Sequence, residues 1–291
     1  MSSPNLTDYI AVHADLFNHY NRLCERLSAD QLGLQSLCPD WDVRGVIAHV
    51  IGVESVLDGW APSTENPPPF GKMVAFQAEA AGLDPAEFAA RVADVTASRL
   101  HHLRSLDPSV VDAPSLTPVG VRTYGAFLQI RIFDMWVHAR DIAIPMGEQL
   151  GNAGPAAEIA LSEVAGSIGY IVGKKIGLPD GMSIVFHVGS GLKEGGSKEG
   201  GSKEGGSKEG GSKEGTEGGA KRDLAVLVDG RARVVDAVDS PDVEVTADLE
   251  TFMMLAAGRV DPQSKIDAGE ITWTGDDQWG DTAARKLAFT M

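Results

Sequence analysis

Apolar residues recur at a spacing close to 3.6 over residues 6–27, where Tyr9, Ile10, Val12, Leu16, Phe17, Tyr20, Leu23, Cys24 and Leu27 share one stripe. The spacing predicts an amphipathic helix, with Thr7 as its N-cap. A turn-rich stretch ending in Cys38-Pro39-Asp40-Trp41 leads to Asp42, a second capping residue. Residues 43–60 then read as a helix with Val46, Ile47, Val50, Val53 and Leu57 inward. Residues 62–70 contain four prolines and read as a loop. Asp84-Pro85 combines a capping side chain with proline at the first helical position, so a third helix runs from there to about residue 106. After a break over residues 108–120, residues 122–145 carry the strongest periodic run: Phe127, Ile130, Ile132, Phe133, Trp136, Val137 and Ile142. A fifth helix is expected over residues 155–176, ending at Gly177.

Beyond residue 181 the period changes. Residues 183–188, 223–228, 232–235, 243–246 and 271–274 are short β-rich runs, and residues 249–258 and 281–287 read as helices. The pattern predicts an N-terminal up-and-down four-helix bundle followed by a smaller α+β domain, divided as residues 1–150 and 151–291. Residues 193–212 are four copies of Lys-Glu-Gly-Gly-Ser with a broken fifth behind them. With nothing apolar to bury, the segment at 192–220 is expected to be a disordered insertion in a hairpin loop.

The formal net charge of −16 repels phosphate backbones and anionic lipid, so neither nucleic acid nor membrane is an expected partner. The N-terminus does not read as a signal peptide, and no run is expected to reach membrane-spanning length, which points to a cytoplasmic protein. Cys24 and Cys38 fit no zinc-ribbon or C-x-x-C spacing and read as reduced thiols, so a functional thiol is expected from a cosubstrate.

Asp134 and His138 stand four apart on the most periodic helix, about 6 Å along it and roughly 40° around, so both side chains leave one face. A carboxylate and an imidazole meeting inside a bundle are costly unless a cation compensates them. His49 lies mid-helix among Val46, Ile47, Val50 and Val53 and is the best third donor. Two histidines and a carboxylate leave a coordination position open, the catalytic pattern for zinc. Spacing leaves a second reading open, in which Asp134 and His138 are a buried pair and His49 a core histidine. His13, His19 and His187 have no matching partners, and His101 and His102 read as a solvated helix end.

The run Asp40-Trp41-Asp42-Val43-Arg44-Gly45-Val46-Ile47-Ala48-His49 resembles the entry to the second helix of DinB-like bundles. The run from Arg131 through Asp134, Trp136 and His138 to Asp141 resembles the R-x-x-E-x-W-V-H-x-x-D helix of the mycothiol-dependent maleylpyruvate isomerase family. The resemblance implies a DinB-like metal-binding bundle with a sterol-carrier-like C-terminal domain. It implies a divalent metal, of zinc type, held by His49, Asp134 and His138, with Asp134 in place of the family's Glu. Mycothiol is the implied cosubstrate. Its thiolate adds to a cis double bond in the isomerase branch and stays on the product in an S-transferase branch. Arg131 and Asp141 then read as structural ion-pair partners. The competing expectation is a non-catalytic module binding a metal or an apolar ligand; a monomer or homodimer fits either.

Overall fold

The computed structural model describes residues 4–189 and 222–290. They form two compact units. One runs through Ile168 and includes Met253–Val260 and the chain from Ala288; the other comprises Gly169–Phe252 and Asp261–Leu287. The expected division at residue 150 falls ahead of the one after Ile168.

The first unit is helical. Helix α1 (Leu6–Arg26) buries Tyr9, Val12, Leu16, Phe17, Tyr20, Leu23 and Cys24, the stripe read from the sequence. Its cap is Asn5 rather than Thr7. Asn5 Oδ1 accepts from the Thr7 and Asp8 amides while Asp8 returns a bond to the Asn5 amide, and this reciprocal box leaves Thr7 inside the helix. A short α2 (Ala29–Leu32) precedes α3 (Val43–Leu57), which starts at Asp42 as expected. Helix α4 (Met73–Gly82) crosses a stretch where no helix was expected. It lies close to α3 at Gly52, where a Cβ would come within 2.9 Å of Met73 Cγ. Helix α5 (Pro85–Ser105) begins in the Asp84 capping box. A hairpin of β1 (Pro114–Thr117) and β2 (Gly120–Thr123) leads into α6 (Tyr124–Ala143), nearly all of whose residues are buried.

Helix α7 (Pro155–Tyr170) continues as a π-type turn over Ile171–Ile176 and ends at Gly177, whose φ of 75° suits glycine. The helical stretch Pro155–Ile176 is 22 residues long with mean hydropathy 1.2, long and apolar enough to cross a membrane by length and composition. That corrects the expectation that no run reaches such a length. The apolar positions Ile159, Leu161, Val164 and Ile168 are nevertheless buried within the protein.

The second unit is built on β3 (Ser183–Val188), β4 (Arg222–Asp229), β5 (Arg231–Val235), β6 (Val243–Ala247) and β7 (Ile271–Gly275), in the order β5-β4-β3-β6-β7. Strands β3 and β4 pair antiparallel from Ser183↔Leu227 to Val188↔Arg222, as expected for strands flanking a hairpin insertion. The Lys-Glu-Gly-Gly-Ser repeat itself lies outside the described residues. Strand β6 pairs parallel to β3. Period-2 alternation puts Ile184, Phe186, Leu224, Val226, Val243 and Val245 on the buried face. Helices α8 (Leu249–Ala256), α9 (Pro262–Asp267) and α10 (Asp277–Arg285) complete the chain, α10 starting four residues earlier than its apolar pattern suggests because Asp276 caps it. A helical region followed by an α+β sheet region is the architecture read from the sequence.

Candidate metal centre

The Asp42 cap fixes the start of α3: its Oδ1 accepts from the Gly45 amide at 2.7 Å. The preceding loop is tied down by Ser36 Oγ, which donates to the Trp41 carbonyl at 2.6 Å, and by the Leu37 amide, which donates to the Asp141 carbonyl at 2.9 Å. Trp41 is thereby laid on the His49 ring, with centroids 4.7 Å apart and planes at 28°. Seven residues into α3, His49 faces α6.

On α6, Asp134 and His138 meet it. His49 Nε2 is 3.9 Å from Asp134 Oδ2, His138 Nε2 is 3.6 Å from Asp134 Oδ1, and the two imidazoles approach edge to face at 4.9 Å. One donor atom from each lies within 4.8 Å of the others. Donors about 2.1 Å from a tetrahedral zinc ion stand roughly 3.4 Å apart, so each imidazole–carboxylate separation would shorten by about 0.2–0.5 Å to seat a divalent ion. The chemistry of the donors fits as well: two imidazoles and an ionised carboxylate. Burial opposes ionisation of Asp134, but Arg131, with His138 and His49, outweighs it and holds the carboxyl well below its usual range. Arg131 Nη1 donates to Asp134 Oδ2 at 2.9 Å.

Behind His138 lies a second layer. Asp141 Oδ2 is 2.8 Å from His138 Nδ1 and also accepts from Cys38 Sγ at 3.2 Å and Arg259 Nε at 3.0 Å. Cys38, His138 and Asp141 also cluster closely enough to hold an ion. Their chemistry points elsewhere, because Arg259 already supplies the cation and the Cys38 thiol keeps its proton. Burial, followed by the Asp141 charge, pushes that thiol up to about 12. His49 has no such support: its Nδ1 is buried without a hydrogen-bond partner.

A third layer is a buried charge network. Glu54 is fully buried on α3 and accepts from Arg131 Nε at 2.9 Å and Arg99 Nε at 3.2 Å. Burial works against its charge, but Arg131 and then Arg99 win and lower its pKa. Arg99 Nη2 also donates to Tyr124 Oη at 3.2 Å. Asp134 is therefore anchored through Arg131 to the bundle core.

His49, Arg131 and Asp134 open onto a cleft of about 210 Å³, otherwise lined by Val53, Phe70, Met73, Pro118, Phe127 and Ile130. The other histidines are elsewhere. His13 is buried, its Nδ1 2.8 Å from the Tyr9 carbonyl. His102 is not a solvated end, since its Nδ1 accepts from the Gly59 amide at 2.9 Å. His187, in the second unit, is clamped between Asp223 at 2.9 Å and Glu244 at 3.1 Å. The groove beside it, about 310 Å³, is lined by the four carboxylates of Asp223, Asp236, Asp239 and Glu244 and by the apolar Val185, Ala225, Ala237, Val238 and Pro241.

Residues 13–143 match the family model of the mycothiol maleylpyruvate isomerase N-terminal domain. A Mycobacterium tuberculosis protein, from strains CDC 1551 / Oshkosh and H37Rv, is 29% identical over 143 residues, 48% of this chain and 69% of the relative. The crystal structure of mycothiol-dependent maleylpyruvate isomerase superposes with a TM-score of 0.56 at 18% identity, covering 94% of this chain and 96% of that one. A histidine-to-alanine mutant of that enzyme superposes equally well. At that identity the likeness bears on the fold alone. The helical part of this chain, residues 13–143, is thus similar to the mycothiol maleylpyruvate isomerase N-terminal domain.

Proposed function

We propose that the bundle binds one divalent ion, of zinc type, through His49, Asp134 and His138, and uses it with mycothiol against a small electrophile, as an isomerase or a thiol S-transferase. The observation that supports this reading is the convergence of two imidazoles and a carboxylate, within 4.8 Å of one another, beside a mostly apolar cleft that His49 and Asp134 line. When bound, such an ion favours the thiolate of a thiol whose ordinary pKa is about 8.5.

The chain's own residues supply everything else. Asp141 holds the Nδ1 side of His138 and leaves Nε2 facing Asp134. Arg131 positions the Asp134 carboxylate and keeps it ionised. The protein's own thiols do not compete as nucleophiles, because burial pushes Cys24 and Cys38 up to about 12. The walls around Phe127 and Ile130 shed water from the reacting groups.

Metal analysis of the purified protein tests the reading, alongside the double change His49→Ala and His138→Ala. The expected result is one ion per chain in the wild type and none in the variant, with helical content intact, because the aliphatic core does not depend on the donors. Wild-type protein without stoichiometric metal overturns the reading. Global unfolding on metal removal replaces the catalytic ion by a structural one.

A further inference from the structure

The crevice between α3 and α4 continues past the metal cleft. Gly45, His49 and Val53 stand four apart on α3, and Met73, Gln77 and Ala81 stand four apart on α4, so each set shares one face of its helix. His49, Val53 and Met73 line the cleft, whereas Gly45, Gln77 and Ala81, with Trp41, Asp42 and Arg44, line a second pocket of about 410 Å³. One helical turn, roughly 6 Å, separates the two along the crevice. Trp41 is the partition: its ring lies on His49, with centroids 4.7 Å apart, and the residue also walls the pocket. Arg44 Nη1 donates to the Ala80 and Leu83 carbonyls, both at 2.8 Å, and ties the end of α4 to α3.

The lining mixes donors and acceptors around an aromatic ring. Asp42 Oδ1 accepts from the Gly45 amide, but Oδ2 has no hydrogen bond to the described residues, nor has Trp41 Nε1 or the Gln77 side-chain amide. Asp42 is exposed, and Trp41 and Gln77 are half-buried. An apolar occupant would strip water from these groups and return no hydrogen bond. An anion would meet the Asp42 carboxylate and, at longer range, the net charge of −16. A neutral polyol satisfies all three: its hydroxyls accept from Trp41 and Gln77 and donate to Asp42, while the C–H face of a sugar ring packs on the indole.

We infer that this pocket holds the glucosaminyl-inositol body of mycothiol, while the thiol end reaches past Trp41 to the metal centre. The inference rests on the thiol-dependent reading of the site. An amide-linked cysteinyl arm sets the sulfur roughly 6 Å from the sugar, about the separation of the two cavities. The larger cavity takes the larger and more polar part of the molecule, and the cleft of about 210 Å³ is left to the thiol and its electrophile. Trp41 and Gln77 then determine which thiol is used, because a thiol without the polyol makes none of their contacts.

Two fragments that divide the ligand test this on the full-length, zinc-loaded protein. N-acetylglucosaminyl-inositol carries the polyol without a thiol, and N-acetylcysteine methylamide carries the thiol without the polyol. Each is titrated by NMR into the wild type and two variants. Ala81→Trp fills the pocket from an exposed helix position, and Gln77→Ala removes a donor and an acceptor at a half-buried position where alanine suits the helix. Circular dichroism checks that both fold. The polyol fragment is expected to bind the wild type at millimolar concentration or below, and to weaken at least fivefold in Ala81→Trp and at least twofold in Gln77→Ala. Binding of the thiol fragment should stay within twofold. A polyol fragment that does not bind, or whose binding neither variant moves, overturns the inference. The thiol-dependent reading fails separately: the thiol fragment would then bind the wild type no better than the His49→Ala, His138→Ala protein, and a polyol fragment that still responds to Ala81→Trp would leave the pocket standing without that chemistry.

Discussion

His138 Nδ1 and Asp141 Oδ2 stand 2.8 Å apart, three residues along the same helix. Histidines that bind metals through one ring nitrogen commonly donate the other to a carboxylate, which fixes the tautomer and raises ligand basicity. Here the carboxylate is itself held by Arg259 Nε and Cys38 Sγ, so the imidazole is aimed from behind by three parts of the chain. Asp141→Asn keeps the shape and removes the charge. It should weaken zinc binding about 10- to 100-fold, with helical circular dichroism unchanged. A competition titration against a chromophoric chelator measures the change. Wild-type affinity in the variant would mean that Asp141 serves Arg259 and Cys38 alone.

Asp134→Glu restores the carboxylate that the family motif carries. Asp134 Oδ2 is engaged by Arg131 at 2.9 Å, while Oδ1 remains 3.6 Å from His138 Nε2. One more methylene lets the carboxylate reach farther between the imidazoles, and the cleft beside it leaves room. Zinc affinity should rise by about tenfold, on the order of 1 kcal/mol, since only reach differs. Calorimetric titration of zinc into the metal-free protein decides. A loss of stability of about 1–3 kcal/mol with no gain in affinity would show that the space has closed around the shorter side chain.

The convergence of His49, Asp134 and His138 is legible in the sequence because each sits on a helix whose apolar period states which face is inward, and because four residues on α6 return to the same face. The Asp42 and Asp84 caps are equally local. Asn5 displaces Thr7 because a capping box needs its acid three residues on, and Asp8 stands at that distance from Asn5. Helix α4 is hidden because its sequence, MVAFQAEAAG, gives little contrast between faces, and only Phe76 and Ala80 are buried. Glu54 carries a faint signal, a lone acid in the apolar run VRGVIAHVIGVESVL. Arg259 carries none, since the Asp141 it holds is 118 residues away and only the tertiary fold brings them together.

His13 makes stability depend on pH in a defined direction. Burial lowers its pKa from 6.5 to about 4, against the pull of Glu54. Between those values the unfolded chain binds a proton that the folded protein refuses. Its contribution is therefore fully present above about pH 6.5 and declines as the pH falls toward 4, by about 3 kcal/mol at most. His13→Leu removes the titration. The gap between wild type and variant in urea unfolding should shift by that amount, against the wild type, from pH 7 to pH 4. A gap independent of pH would show that His13 is not refusing a proton in the fold.

Glu54→Ala tests whether the buried network holds the site as well as the fold. Glu54 is the shared acceptor of Arg99 and Arg131, so truncating it leaves two guanidinium groups in the bundle interior without their common counter-charge. Removing one partner of a buried ion pair costs about 3–5 kcal/mol, most of it the exposure of the remaining charge to an apolar surround. Urea unfolding of the metal-free variant at pH 7 should show a loss of that size. The site should respond too. Arg131, freed from Glu54, has Asp134 as its remaining carboxylate and competes more strongly with zinc for it, so zinc affinity should fall even where the variant is fully folded. Glu54→Gln keeps an acceptor of the same size and should lose less stability while still weakening zinc. A variant destabilised by several kcal/mol that binds zinc as the wild type does would separate the network from the site, leaving Arg131 to position Asp134 without help from the core.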